Sequence, residues 1–184
     1  MLTYGDLLEK PDRIAELGGS HVLVAAATPG PEIVVREAKK SPEATVVFHH
    51  ETIAMMRAER ADQLEKLRKQ LNAASLVVPI RKESGSFWDE AQVTVGRAST
   101  ADLVLNDPAV SNVHAHFEIG VHDRSVCVKD LGSSNGTFLN RQPLQPHELT
   151  PLRTGDCVRF GQSVFYFIGS DAFREMFFGA APGL

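Results

Sequence analysis

Between Val95 and Phe138 four short polar signatures follow one another: Gly96-Arg97, Ser111-Asn112-Val113-His114, Asp130-Leu131-Gly132 and Ser133-Ser134-Asn135-Gly136-Thr137. They combine a planar guanidinium fork with hydroxyls, side-chain amides and glycine-opened backbone. A phosphorylated side chain offers three strong acceptor oxygens and about −1.5 to −2 charges near neutral pH. Reading it takes a bidentate donor, hydroxyl or amide donors and uncommitted backbone N–H groups. That is the inventory here, and it points to anion recognition rather than bond breaking. No residue is expected to be catalytic.

Each signature is modest by itself. Arg97 follows a strand pattern, Val93-Thr94-Val95, and Gly96 lets the chain turn without a Cβ. Ser111-Asn112 lies between a turn, Asn106-Asp107-Pro108, and an apolar strand, so both side chains can face outward; taken alone they read better as a helix cap or ordinary turn residues. Asn135-Gly136 between a polar loop and an apolar strand is a turn signal. His114 and His116 share one strand face and could pair on a metal, but no Cys, Asp or Glu completes a ligand spacing. His49-His50-Glu51 lacks the second half of a zinc helix motif and reads as a helix start. There is no Gly-x-Ser-x-Gly elbow, and no Lys precedes Thr137 as a phosphate-binding Walker loop requires. Neither a metal nor a cofactor is expected.

Positioning these side chains falls to short strands after residue 75: Leu76–Arg81, Gln92–Val95, Leu103–Leu105, Ala115–Ile119, Val126–Lys129, Thr137–Leu139, Cys157–Phe160 and Val164–Ile168. Many short strands at this spacing predict an antiparallel sandwich. Residues 1–74 mix patterns. A short helix over Asp6 to Leu17 is interrupted by Pro11, and an apolar run from His21 to Ala27 ends at Thr28-Pro29-Gly30-Pro31. Ile33–Val35 and Thr45–Phe48 are possible strands. Glu51 to Ala74 has no Gly or Pro and predicts a helix, with Ile53, Met56, Leu64, Leu67 and Leu71 near one stripe. Arg57 and Arg60 break that seam, so the stripe is expected to pack on the β domain or within a local mini-domain. Asp62/Lys66 and Glu65/Lys69 are favourable i,i+4 pairs. Ser170–Phe178 predicts a short C-terminal helix with Phe173 and Phe177 on one side.

Composition narrows the partners. The net charge of −4 is spread evenly: residues 1–74 carry 10 Lys/Arg against 11 Asp/Glu, and residues 75–170 carry 8 against 10. Without a basic tract, neither nucleic acid nor an anionic membrane is expected as partner. Cys127 and Cys157, far apart in alternating apolar runs, read as buried thiols outside any disulfide, which suits a reducing compartment. With no signal-like N-terminus and no bilayer-length apolar stretch, the expected location is the cytoplasm.

The ordered set of signatures resembles the forkhead-associated (FHA) domain. The run Asp130-Leu131-Gly132-Ser133-Ser134-Asn135-Gly136-Thr137 is similar to the family's signature loop, and Leu152-Arg153-Thr154-Gly155-Asp156 to its closing motif. The resemblance covers about residues 75–170. It implies an all-β, FHA-type sandwich of about 11 short strands that binds phosphothreonine in partner proteins. By that resemblance Arg97, Ser111 and Ser134 contact the phosphate, Asn112 and Asn135 supply amide contacts, and Asn135 holds the peptide main chain. Gly96, His114, Gly136 and Thr137 support the site, with His114 as an internal brace. Two departures stand out. The position after the loop Ser, often basic in the family, is Asn112, which puts more weight on Arg97. The family's later Asn-Gly hairpin reads Asn140-Arg141, so another turn geometry is expected there.

The expectation is therefore three segments. Residues 1–74 form an α/β or mainly helical N-terminal segment with a helix at about 51–74. Residues 75–170 form the phosphopeptide-binding domain, and residues 171–184 a helical tail. The function implied is non-catalytic docking of a phosphothreonine-bearing protein, a Ser/Thr kinase or its substrate. The alternative is a scaffold that binds independently of phosphorylation, with the 51–74 helix as contact. Thr28 is a further candidate as an internal phosphothreonine.

Overall fold

In the computed structural model, residues 2–17, 20–26, 33–35, 61–81, 92–120 and 125–178 are described. The expectations for Thr28, for His49-His50, for a strand at Thr45–Phe48 and for helical residues 51–60 lie outside them.

Alternating burial builds two six-stranded sheets. The first has the order β3 (Val77–Ile80), β1 (His21–Ala25), β12 (Ser163–Ile168), β11 (Cys157–Phe160), β8 (Thr137–Leu139) and β9 (Gln142–Pro143). The second has the order β10 (Thr150–Pro151), β7 (Val126–Asp130), β6 (Ala115–Ile119), β4 (Gln92–Gly96), β5 (Leu103–Leu105) and β2 (Ile33–Val35). Among the described residues every pairing is antiparallel except β4 with β5. The expected sandwich is present, with twelve strands among the described residues. The two that sequence patterning passes over, β9 and β10, are two residues long and contain Pro.

The faces meet over Leu23, Val95, Leu105, Phe117, Val128, Val158, Phe160 and Phe165, all buried. Phe160 is central: its ring meets Phe117 edge-on at 6.0 Å and Phe165 at 6.3 Å. Such pairs add about 0.5–1.5 kcal/mol beyond the area they bury.

The described residues before position 75 are built into this architecture. β1 lies between β3 and β12, with Leu23 opposite both Val78 and Phe167. Leu23 faces the sandwich, while Val22 and Val24 face the other way into a second core. Helix α1 (Tyr4–Glu9), a 3-10 helix (Pro11–Leu17), helical residues 61–70 (α2) and α3 (Ser170–Phe178) cover that outer face. Leu64, Leu67 and Leu71 of the predicted stripe are buried there with Phe173 and Met176. The described part of the stripe thus packs on the sheet, one of the two expected arrangements. The Lys66–Asp62 and Lys69–Glu65 pairs form on the exposed side at 2.6 and 3.3 Å; exposed pairs contribute only about 0.3–0.5 kcal/mol each. A capping box starts α1: Asp6 N–H donates to Thr3 Oγ1 and Thr3 N–H to Asp6 Oδ2.

The Asn140-Arg141 turn corrects one expectation. Leu139 pairs with Gln142, leaving a two-residue connection, and both of its residues take positive φ (50° and 71°). The tight-hairpin geometry is kept although Arg stands where Gly is favoured. Asn140 is held from its side chain, donating to Asp156 Oδ1 and accepting from Cys157 N–H. No disulfide joins Cys127 and Cys157, which sit on different sheets; both are half-buried rather than buried as expected, because they alternate with the core-facing residues of their strands. Among the described residues, no helix is long and apolar enough to cross a membrane.

Candidate functional site

Three connections converge at one end of the sandwich: residues 97–102 after β4, 106–114 after β5 and 131–136 after β7. They are bound to each other as tightly as strands. Arg97 N–H donates to Ser111 O (2.9 Å), Ala98 N–H to Asn112 O (3.1 Å) and His114 N–H to Val95 O (2.9 Å). This short ladder explains Gly96. A Cβ there would stand 2.1 Å from Asn112 O and 2.9 Å from its carbonyl carbon. Gly96 is therefore required for the close approach of the Ser111-Asn112 backbone, whereas the sequence suggested a turn.

The ladder sets the predicted donors side by side. Arg97 is exposed, and its Nε–H is tethered to Val110 O at 3.2 Å. Among the described residues no carboxylate pairs with it, so its terminal nitrogens remain available to a ligand. Ser111 and Ser134, 23 residues apart, meet with their Oγ atoms at 3.4 Å, and Ser134 N–H donates to Ser111 Oγ at 3.1 Å. Asn135 donates through Nδ2 to Ala109 O at 2.8 Å, tying the signature loop to the 106–114 loop. That leaves Asn135 one N–H and its carbonyl oxygen for an incoming main chain. Asn112 is exposed beside Ser111, and the neighbouring Val113 is 57% exposed. All five predicted contact residues thus belong to one cluster.

The supporting residues lie beneath it. His114 is fully buried; its Nδ1 accepts from Ser111 N–H at 3.0 Å and its ring meets Phe160 edge-on at 5.8 Å. It links the aromatic core to the serine loop. Accepting at Nδ1 puts the proton of the neutral ring on Nε2, which has no hydrogen-bond partner. Burial pushes the His114 pKa below its ordinary value, against the opposing pull of Asp130 and the Gly136 backbone. With Asp130 Oδ2 at 4.0 Å and Nε2 unsatisfied, these groups act through the field rather than through a formed bond. His116 turns to a different partner, Glu118 Oε1 at 3.0 Å, so the two histidines do not converge on one point. Among the described residues no group of three or more His, Cys, Asp or Glu side chains has metal-binding geometry.

Two buried carboxylates organise the loops, and sequence reasoning assigned a role to neither. Asp130, 1% exposed, accepts from Gly132 N–H (2.8 Å), Ser133 N–H (2.9 Å), Ser133 Oγ (2.7 Å) and Thr137 Oγ1 (2.6 Å). Burial raises its pKa, but these four donors outweigh that and hold it below the ordinary aspartate value. Gly132 and Gly136 supply the positive φ values, 76° and 70°, that fold the loop around it. Asp107, also 1% exposed, accepts from Ala109 N–H (2.8 Å), Gln162 N–H (2.7 Å) and Ser163 Oγ (3.1 Å), and its pKa is likewise held low against burial. The available signal was a lone acid at the start of each polar run, which reads as an ordinary turn residue.

The fold and the loop cluster define a β-sandwich domain whose polar surface is carried on one rim. Residues 93–161 match the FHA domain family. The oxoglutarate dehydrogenase inhibitor of Corynebacterium efficiens is 34% identical over 102 residues, covering 54% of this chain and 68% of that protein. The glycogen accumulation regulator GarA of Mycobacterium tuberculosis is 35% identical over 98 residues, 52% of this chain and 57% of that protein. A solved chain from work on phosphothreonine-dependent FHA domain interactions is 25% identical, with a TM-score of 0.43 over 53% of this chain and 88% of its own. This chain belongs to the FHA domain family.

Proposed function

We propose that this chain is a non-enzymatic docking protein that captures a phosphothreonine segment of a partner, a Ser/Thr kinase or a kinase substrate, in the cytoplasm. Arg97 is the charge anchor, Ser111 and Ser134 are the hydroxyl donors, and Asn112 and Asn135 are the amide contacts. The observation that carries this reading is the meeting of Ser111 Oγ and Ser134 Oγ at 3.4 Å beside an Arg97 whose backbone is bonded to Ser111. Three donor groups from three connections, none neutralised by a carboxylate among the described residues, suit a group with three acceptor oxygens. Membership of the FHA family supports phosphothreonine as the ligand. The relatives named above are an enzyme inhibitor and an accumulation regulator, which fits action through binding. Residues 75–170 carry the ligand contacts, and α1, the 3-10 helix, helical residues 61–70 and α3 brace the first sheet from behind.

The test is capture of degenerate phosphothreonine, phosphoserine and unphosphorylated peptide libraries by the full chain and by Arg97→Ala. Phosphothreonine-selective capture is expected, with Arg97→Ala weaker by about 2–5 kcal/mol. Binding is also expected to weaken below about pH 6, where the phosphate loses its second charge. Equal capture of the unphosphorylated library would transfer the protein to the scaffold class.

A further inference from the structure

The contact residues named above are held by a loop whose own anchor lies outside the cluster. Residues 107–110 present two successive carbonyls to the two sides of the site: Ala109 O receives Asn135 Nδ2, and Val110 O receives Arg97 Nε. Both carbonyls are aimed by Asp107. Its carboxylate takes Ala109 N–H and its backbone oxygen takes Val110 N–H at 2.9 Å. The other carboxylate oxygen grips the β11–β12 turn on the opposite sheet, through Gln162 N–H and Ser163 Oγ. Gly161 in that turn has φ 55°, and a Cβ on it would lie 2.8–2.9 Å from Ala109 backbone and side-chain atoms. Ala109 is thus clamped between the turn and Asn135. Asp107 thus ties the loop carrying Ser111 to the β11–β12 turn, and Ala109 O carries that tie on to Asn135 of the signature loop.

We propose that Asp107 is a positioning residue for phosphopeptide capture, setting the reach of Asn135 and Arg97 from the β11–β12 turn. This rests on the function proposed above. Asp107 touches no ligand; it acts through Ala109 O and Val110 O. Its consequence is coupling. With the Asp107 grip loosened, Asn135 loses its fixed orientation, and once Asn135 is gone, loosening the grip can cost only what passes through Arg97. A carboxylate that merely stabilised the fold would weaken capture equally in either background.

The experiment is a double-mutant cycle on the full chain, read as the affinity for the degenerate phosphothreonine peptide library. Its arms are wild type, Asp107→Asn, Asn135→Ala, the double variant and Arg97→Ala. Asp107→Asn keeps an acceptor for Ala109 N–H but turns a donor toward Gln162 N–H. Each single variant is expected to weaken capture about tenfold, and the double variant about tenfold to thirtyfold rather than a hundredfold. A product of the two single effects would overturn the proposal. If Asp107→Asn does not fold, Ser163→Ala removes one of the same bonds at a buried position and takes its place in the cycle. A twofold to threefold loss that vanishes in the Asn135→Ala background supports the coupling, and one that persists overturns it. Wild type without Arg97-dependent capture would instead overturn the function, so the two failures are separable.

Discussion

Replacing Gly96 with alanine tests whether the serine loop depends on the close approach of two backbones. The new Cβ would stand 2.1 Å from Asn112 O, where real contacts stay beyond about 3 Å, so clearing it takes a shift of about 1 Å. The atom that must retreat is a carbonyl oxygen accepting Ala98 N–H, in a ladder with the Arg97–Ser111 and His114–Val95 bonds. Overpacking of this kind costs about 1–3 kcal/mol. Losing two ladder bonds adds about 1–3 kcal/mol more. The expected total is about 2–6 kcal/mol, a large part of the stability of an ordinary domain. Urea denaturation followed by far-UV circular dichroism measures it. The same shift separates Ser111 from Ser134 and Arg97, so phosphothreonine library capture should fall at least tenfold at temperatures where the variant remains folded. A variant within 1 kcal/mol of wild type with unchanged capture would refute the reasoning, since the ladder would then be dispensable to both fold and site.

Three other outcomes follow from the structure. His114 is buried with a lowered pKa, so as pH falls below about 6.5 the unfolded chain takes up a proton that the folded chain refuses. Ligand-free stability should therefore be full above that pH and decline toward pH 5 with a slope of up to about 1.4 kcal/mol per unit, and His114→Asn should flatten this part of the profile; an unchanged slope by urea titration at each pH rejects the assignment. Arg141→Gly relieves a non-glycine residue at φ 71° in an exposed two-residue turn and should raise stability by about 0.5–1 kcal/mol, read as a higher melting temperature. Leu67→Ala empties a 3% exposed position in the helical layer and should destabilise the whole chain by about 2–4 kcal/mol in one cooperative transition; a separate early transition would show that the layer folds independently of the sandwich.

Local signals carried much of the fold. Leu103–Leu105, Ala115–Ile119, Thr137–Leu139 and Cys157–Phe160 are strands with the bounds predicted for them, because short strand-favouring runs bounded by turn signals are marked by adjacent residues alone. The five proposed contact residues could be named for a related reason: donors for an oxyanion are a restricted set of side chains, and their order along the chain resembles a known family pattern. What stayed hidden depends on distant pairs. The place of β1 is set by Val22 opposite Ile168 and Leu23 opposite Phe167, pairings across most of the chain that no local window contains. This is why a division near residue 74 suggested itself from pattern, although strand pairing crosses it.

The sequence by itself determined which side chains can hold an anion, that they sit on loops between short strands, and which residues can fill a sandwich. These are properties of residue type and near-neighbour spacing. Only the tertiary structure decided that Asn112 O would press on Gly96, that Ser111 and Ser134 would meet, and that Asp107 and Asp130 would be the buried hubs beneath them. A carboxylate in a polar run is a solvated turn residue until packing removes its water. Once buried, it must gather donors from whatever elements the fold brings near, and here those donors include the backbone and hydroxyls of the loops that carry the site.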